Sequence, residues 1–161
     1  MTIYRRVALI GLGLIASSMA HAIRANGLAD SVVGQDSDPE ARRIATEIGL
    51  VDEVFDTAAA AVEGADLVVL AVPVGAMGAV AAEIAPHLSP DATLTDTGSV
   101  KQAVIAAVGP HVPENVHFIP GHPLAGTEHS GPRAGFATLF ENRWWLLTPM
   151  PEGETAATAR L

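Results

Sequence analysis

The chain has 161 residues, 49% of them apolar, with 15 glycines, 11 prolines and no cysteine. That is the composition of one globular domain, not of a disordered segment or a disulfide scaffold. A formal net charge of −9, with one lysine beside eight arginines, argues against nucleic acid as a partner, and no apolar run approaches a bilayer span.

The first elements follow in strict alternation. Val7-Ala8-Leu9-Ile10 is an apolar run without polar alternation, as expected for a buried parallel strand. It breaks at glycine after four residues, too short for the core of a signal peptide despite Arg5 and Arg6, so a cytoplasmic protein is expected. Leu14 to Ala25 fits a helix closed by Asn26-Gly27. Ser31 to Gly34 is a second strand, and Asp38-Pro39-Glu40 caps a helix running to about Glu47. Val54-Phe55-Asp56 is a connector, and Ala58 to Val62 a short helix.

Leu67 to Val72 gives the strongest strand signal, stopped by Pro73. A helix over 76–88, a strand over Thr93–Asp96, a helix over 100–108 and a strand over Val116–Ile119 come next. Residues 121–135 form a glycine-rich loop, and Trp144 to Thr148 is a sixth strand. Repeated strand–helix units with short links predict an α/β, Rossmann-type, mostly parallel sheet with helices on both faces.

Gly11-Leu12-Gly13-Leu14-Ile15-Ala16 lies directly after the first strand and opens the first helix, in the G-x-G-x-x-G/A form of the dinucleotide fingerprint. Gly11 permits the tight turn, Gly13 lets the backbone approach a pyrophosphate, and Ala16 allows close helix packing. Amides at the helix start can bind an anion even on an acidic protein. Asp36, after the second strand, is the expected acceptor for the adenosine ribose hydroxyls. With Ser37 rather than arginine beside it, the reading favours NAD over NADP. Ala71-Val72-Pro73 reaches the same sheet edge and lines the expected cofactor cleft. The other reading of these residues is a plain turn, a surface cap and a strand stop in some other α/β protein.

Asp96-Thr97-Gly98-Ser99-Val100-Lys101 and the run from Gly121 to Gly131 end the fourth and fifth strands. Ser99 is placed to cap a helix. Asp96 either touches ligand or orients its loop, and Lys101 either forms a structural ion pair or meets ligand. His122 sits between Gly121 and Pro123, away from regular structure, where core filling is not expected. Trp144 and Trp145 read as packing.

With these residues the chain resembles the N-terminal domain of the prephenate/arogenate (cyclohexadienyl) dehydrogenase family. The resemblance rests on residues 11–15 with Ser17-Ser18, on 96–101, on His122-Pro123-Leu124-Ala125-Gly126-Thr127-Glu128 through Gly131, and on Asn142-Arg143-Trp144. Ala16 departs from the family's usual glycine. What the resemblance implies is NAD-dependent oxidative decarboxylation of prephenate to 4-hydroxyphenylpyruvate, of arogenate to tyrosine, or of both, in tyrosine biosynthesis. His122 takes the role of the catalytic base and Ser99 that of its partner at the substrate hydroxyl. Thr127 and Glu128 line the substrate side, and Gly11 to Ile15, Asp36 and Ala71 to Pro73 hold NAD.

A neutral imidazole is well matched to taking a proton near neutral pH. Glu128 is awkward beside a dianionic substrate and is expected either to pair with an arginine or to sense the substrate's side chain. The six histidines show no metal-ligand spacing, and no metal is expected.

Residues 1–150 are expected to be the NAD-binding domain, and 151–161 the start of a helix leading to an all-helical dimerisation domain beyond this chain. The resemblance puts the homodimer interface and the arginine gripping the ring carboxylate in that second domain. The 161 residues alone are therefore expected to bind NAD and to turn over little prephenate. Two other classes stay open from the residues: an NAD(P)-dependent dehydrogenase of the hydroxyacid type, and a non-catalytic dinucleotide-binding module.

Overall fold

A computed structural model describes residues 1–150 and 155–161. Six parallel strands form the central sheet: β1 (Tyr4–Ile10), β2 (Ala29–Gln35), β3 (Glu53–Phe55), β4 (Leu67–Leu70), β5 (Thr93–Asp96) and β6 (His117–Ile119). Their spatial order is β3-β2-β1-β4-β5-β6. The chain winds outward from β1 in one direction and, after crossing to β4, in the other. The reversal between β1 and β4 creates the crevice in which open sheets of this kind bind ligands.

Helices α1 (Leu14–Asn26) and α2 (Pro39–Glu47) cover one face, and α3 (Ala58–Val62), α4 (Val74–Ile84) and α5 (Lys101–Val108) the other. The strands divide their side chains accordingly. Val7 and Leu9 of β1 pack with Ala16, Ala20 and Ile23 of α1, while Ala8 and Ile10 pack with Val62, Met77 and Ile84. This is why the strands lack polar alternation: each residue is buried on one face or the other. With few aromatics, the core depends on alanine-lined helices lying close to the sheet, as α3 does through Ala58 and Ala61.

Helix ends follow local chemistry. Gly27 closes α1 in the left-handed conformation at φ 60°. Asp38 caps α2 by accepting the Glu40 N–H at 2.9 Å, with Pro39 at the first helical position. Helix α4 starts at Val74 and gives way after Ile84 to a 3-10 turn, Ala85–His87, in place of the single helix predicted over 76–88. Pro86 has no N–H to continue the α-helical ladder.

Three expectations change. Val54 and Phe55 of the predicted connector over 54–56 belong to the edge strand β3, which pairs with β2 alone. The predicted sixth strand is β8 (Trp145–Leu147), and it does not join the sheet. It pairs antiparallel with β7 (Gly121–Pro123), inside the stretch predicted as loop, so His122 stands opposite Leu146 on a two-stranded ribbon. Periodicity cannot assign partners, and a strand of three residues carries almost no periodic signal. Helix α6 (Thr155–Arg160) lies within the helical segment expected over 151–161. The part of that expectation falling on 151–154 lies outside the described residues.

Candidate active site

Parallel register levels the strand ends. Gln35 is opposite Ile10, Ile10 opposite Leu70, and Leu70 opposite Asp96. The residues that follow, Asp36, Gly11, Ala71 and Thr97, therefore leave the sheet side by side. The ladder continues through them: Gly11 N–H donates to Gln35 O at 2.7 Å, Ala71 N–H to Ile10 O at 2.7 Å and Thr97 N–H to Leu70 O at 3.1 Å.

Gly11 makes its turn at φ 92° against the end of β4, where a Cβ would stand 2.6 Å from Ala71 O. Only glycine satisfies both conditions. Gly13 is the N-cap of α1, and a Cβ there would meet nothing within 4 Å, so the space above it is open. The first turn of α1 has no side-chain cap and no acidic residue, which leaves its amides facing that space. Ser17 fixes this turn through its backbone N–H to Gly13 O at 2.9 Å and its hydroxyl to the same oxygen at 2.6 Å.

Leu12 plays a different part from its neighbours. It is fully buried, its side chain lies against Gly34, and its N–H donates to Asp36 Oδ2 at 2.7 Å. That amide is spent on the protein, and Leu12 shapes the loop from beneath. Asp36 Oδ1 takes the Asp38 N–H at 2.9 Å. Arg42 closes the back of this corner by donating to Asp36 O at 2.7 Å and reaching Asp56 at 3.3 Å. Ala71 and Val72 are half-buried and Pro73 is exposed at the head of α4.

At the other end of the crevice, Asp96 is completely buried. Its Oδ2 accepts the Gly98 N–H at 2.7 Å and the Lys101 ammonium, and its Oδ1 accepts the Gly121 N–H at 3.1 Å. Lys101 also donates to Gly121 O. One carboxylate and one ammonium thus clasp both backbone groups of the residue before His122. Asp96 thus orients its loop, and Lys101 forms an ion pair with it. Gly121 is required here, because a Cβ would come within 2.8 Å of Trp145 Nε1 and 2.9 Å of Asp96 O.

Ser99 does not cap α5. The N-cap is Val100, which has no capping side chain, and Ser99 is exposed. The Asp96–Gly98 turn displaces the helix start by one residue. His122 is half-buried on β7, on regular structure after all. Thr127 and Glu128 are exposed, beyond the ribbon. Thr127 Oγ1 accepts the His129 N–H at 3.1 Å, and Glu128 approaches His129 at 3.4 Å and not an arginine. Trp145 packs on Phe140 at 5.1 Å between ring centroids, but Trp144 is 77% exposed and does not pack as expected.

Sequence reasoning missed the clasp on Gly121, whose signal was a lone lysine five residues after a strand-end aspartate. It also missed the close seat of Gly135 on α1, which has no local signal. Among the described residues, no three His, Asp or Glu side chains converge as a metal site would require, and no helix is long and apolar enough to cross a membrane.

Comparison with known proteins agrees with this fold. A family model described as prephenate dehydrogenase, nucleotide-binding domain, matches residues 19–161. A cyclohexadienyl dehydrogenase of Zymomonas mobilis is 47% identical over 149 residues, covering 92% of this chain and 50% of that protein. The structure of prephenate dehydrogenase from Aquifex aeolicus, in complex with hydroxyphenyl propionate and NAD+, superposes with a TM-score of 0.86 at 30% identity, covering 96% of this chain and 54% of that one. Synechocystis arogenate dehydrogenase gives 0.85 at 30% identity, with 96% and 53% covered. The chain spans about half the length of these relatives. It belongs to the prephenate dehydrogenase family, and what it contributes is that family's nucleotide-binding domain with a Rossmann-type sheet.

Proposed function

We propose that the full-length protein is an NAD-dependent dehydrogenase acting on prephenate, arogenate or both, in tyrosine biosynthesis in the cytoplasm, as a homodimer formed through its second domain. The observation that carries this reading is the shared edge. The uncapped first turn of α1 and the clasped Gly121-His122 unit stand at the carboxyl ends of one parallel sheet.

The residues present fit NAD. The open space over Gly13 and the free amides of Leu14 and Ile15 suit a pyrophosphate. Asp36 keeps acceptor capacity for ribose hydroxyls after accepting two amides, since a carboxylate offers about four lone-pair sites. Ala71, Val72 and Pro73 flank the nicotinamide end, while Gly11 and Leu12 shape the loop. NAD, when bound, supplies the hydride acceptor. His122 takes the proton of the ring hydroxyl, and Ser99, whose hydroxyl is not used as a cap, holds that hydroxyl in line. Thr127 and Glu128 line the substrate side of the cleft. The arginine for the ring carboxylate comes from the second domain.

The test is a steady-state assay of the full-length enzyme with prephenate and arogenate, each against NAD and NADP. For His122→Asn, NAD affinity stays at the wild-type value while kcat falls about 10²-fold or more, the scale of a positioned acid–base group. An unchanged kcat removes His122 from the role.

A further inference from the structure

The segment that follows His122 does not hang free above the crevice. It leaves β7 at Pro123, carries Thr127 and Glu128, and is then pressed against α1 before returning to β8. Gly131 turns at φ 86° into a 3-10 turn, Pro132–Ala134, which packs on α1 and α2. Gly135 makes the closest approach. A Cβ there would stand 2.5 Å from the carbonyl carbon of Ser17 and 2.6 Å from its Cβ, so the two backbones are almost in contact. The next residue, Phe136, donates its N–H to Ser18 Oγ at 3.2 Å. Arg133 reaches Glu47 of α2 at 3.1 Å.

Ser17 and Ser18 are both fully buried. Ser17 directs its hydroxyl at Gly13 O, in the turn that faces the open space over the glycine loop. The substrate-side segment is therefore seated on the same helical turn whose shape defines the anion site. If an anion bound there favours the seated segment, linkage requires the seated segment to favour the anion by the same free energy.

We propose that Gly135 and Ser18 are positioning residues: they lock the Thr127–Glu128 segment to the phosphate-facing turn of α1 and so couple nucleotide binding to binding of the aromatic substrate. The inference rests on the proposed function above. Neither residue touches the ligands; each acts through the segment it holds. Gly135→Ala drives the segment off the helix, and Ser18→Ala removes one hydrogen bond while leaving the fold's packing nearly unchanged.

The experiment uses the full-length enzyme and hydroxyphenyl propionate as a non-reacting aromatic probe. For wild type, the Kd of the probe is lower in saturating NAD+ than without it. For Ser18→Ala, KM for the aromatic substrate rises about 2–10-fold, the range of a lost neutral hydrogen bond, and the NAD+-dependent gain in probe affinity shrinks. For Gly135→Ala, which displaces the whole segment, KM rises by more than in Ser18→Ala, and the gain disappears. NAD+ Kd without the probe changes less than KM in both. If wild type shows no NAD+-dependent gain, or if Ser18→Ala keeps both KM and the gain, the coupling is wrong although the enzyme turns over. If NAD+ Kd and KM deteriorate together, the residues serve general stability and the proposal also falls. Failure of wild type to oxidise either substrate would instead overturn the functional reading itself. Should Gly135→Ala not fold, Ser18→Ala carries the test alone.

Discussion

Replacing Lys101 with methionine tests the clasp on Gly121 most directly. The Asp96 side chain is 0% exposed and that of Lys101 17%, so the pair is screened by little water. Methionine keeps most of the aliphatic stem but removes the ammonium shared by the Asp96 carboxylate and Gly121 O. Breaking one side of a buried pair costs about 3–5 kcal/mol, because the remaining charge is left without its partner. Asp96 retains two amide donors, from Gly98 and Gly121, which places the loss near the lower end, about 3 kcal/mol. Urea unfolding should show a lower midpoint with an unchanged slope. The double variant Asp96→Asn with Lys101→Met should recover much of the loss, since the uncompensated charge goes with it. Because Gly121 precedes His122, kcat of the full-length enzyme should fall about 10-fold or more beyond any loss of folded protein. A stability change under about 1 kcal/mol with normal kcat would show that the clasp neither holds the loop nor places the histidine.

Three further perturbations address the nucleotide side and the segment. Gly11→Ala puts a Cβ 2.6 Å from Ala71 O at φ 92°; calorimetry should show NAD affinity reduced about tenfold or more, with a strain cost of about 1–3 kcal/mol in unfolding. Wild-type affinity would mean that the loop relaxes freely. Asp36→Ser removes the charge opposing a 2′-phosphate, worth about 1–4 kcal/mol at 4 Å depending on screening, so the ratio of kcat/KM for NAD over NADP should drop about tenfold or more; an unchanged ratio assigns discrimination elsewhere. The hydrogen bond from Arg133 first, and that from Arg43 second, hold the Glu47 carboxyl below its ordinary value of 4.5. A depressed carboxyl stabilises above its unfolded value and loses that contribution as pH falls through its folded value. Stability measured downward from about pH 4.5 should therefore decline more steeply in wild type than in Glu47→Gln; parallel curves would show that solvent screens the pair completely.

The elements legible in the sequence were those whose signal is local. Leu67 to Leu70 is apolar at every position because both sheet faces are covered, and Asp38-Pro39 announces a helix through cap chemistry. The glycine loop was legible because its demands are stereochemical, as the turn at Gly11 illustrates. The ribbon of β7 and β8 was not, because its pairing brings together residues more than twenty positions apart and each strand has only three residues. Ser99 shows the reverse error. Its residue type suits a cap, but the Asp96 carboxylate takes the Gly98 amide and α5 begins one residue later than a Ser99 cap requires. The seat of Gly135 on Ser17 depends entirely on tertiary approach.

An acidic nucleotide-binding domain must solve its electrostatics locally, and the Asp36 carboxylate holds two backbone segments at the mouth of the crevice. Its Oδ2 holds the Leu12 amide, which keeps the loop curled so that Gly13 and the amides after it face outward. Its Oδ1 holds the Asp38 amide, which sets the entry to α2. Both bonds set backbone dipoles against part of the carboxylate's charge. Arg42, in the same corner, is turned to the carbonyl of Asp36 and to Asp56. If Asp36 also takes the ribose hydroxyls as proposed above, loop shape and ribose recognition depend on a single side chain. Asp36→Asn separates them: an amide can present one acceptor oxygen to Leu12 but carries no charge. If charge alone sets the cofactor preference, Asp36→Asn should relax the NAD-to-NADP ratio as far as Asp36→Ser does while retaining more NAD affinity. Equal loss of NAD affinity in the two variants would mean that the curl of the loop depends on the charge-assisted bond to Leu12.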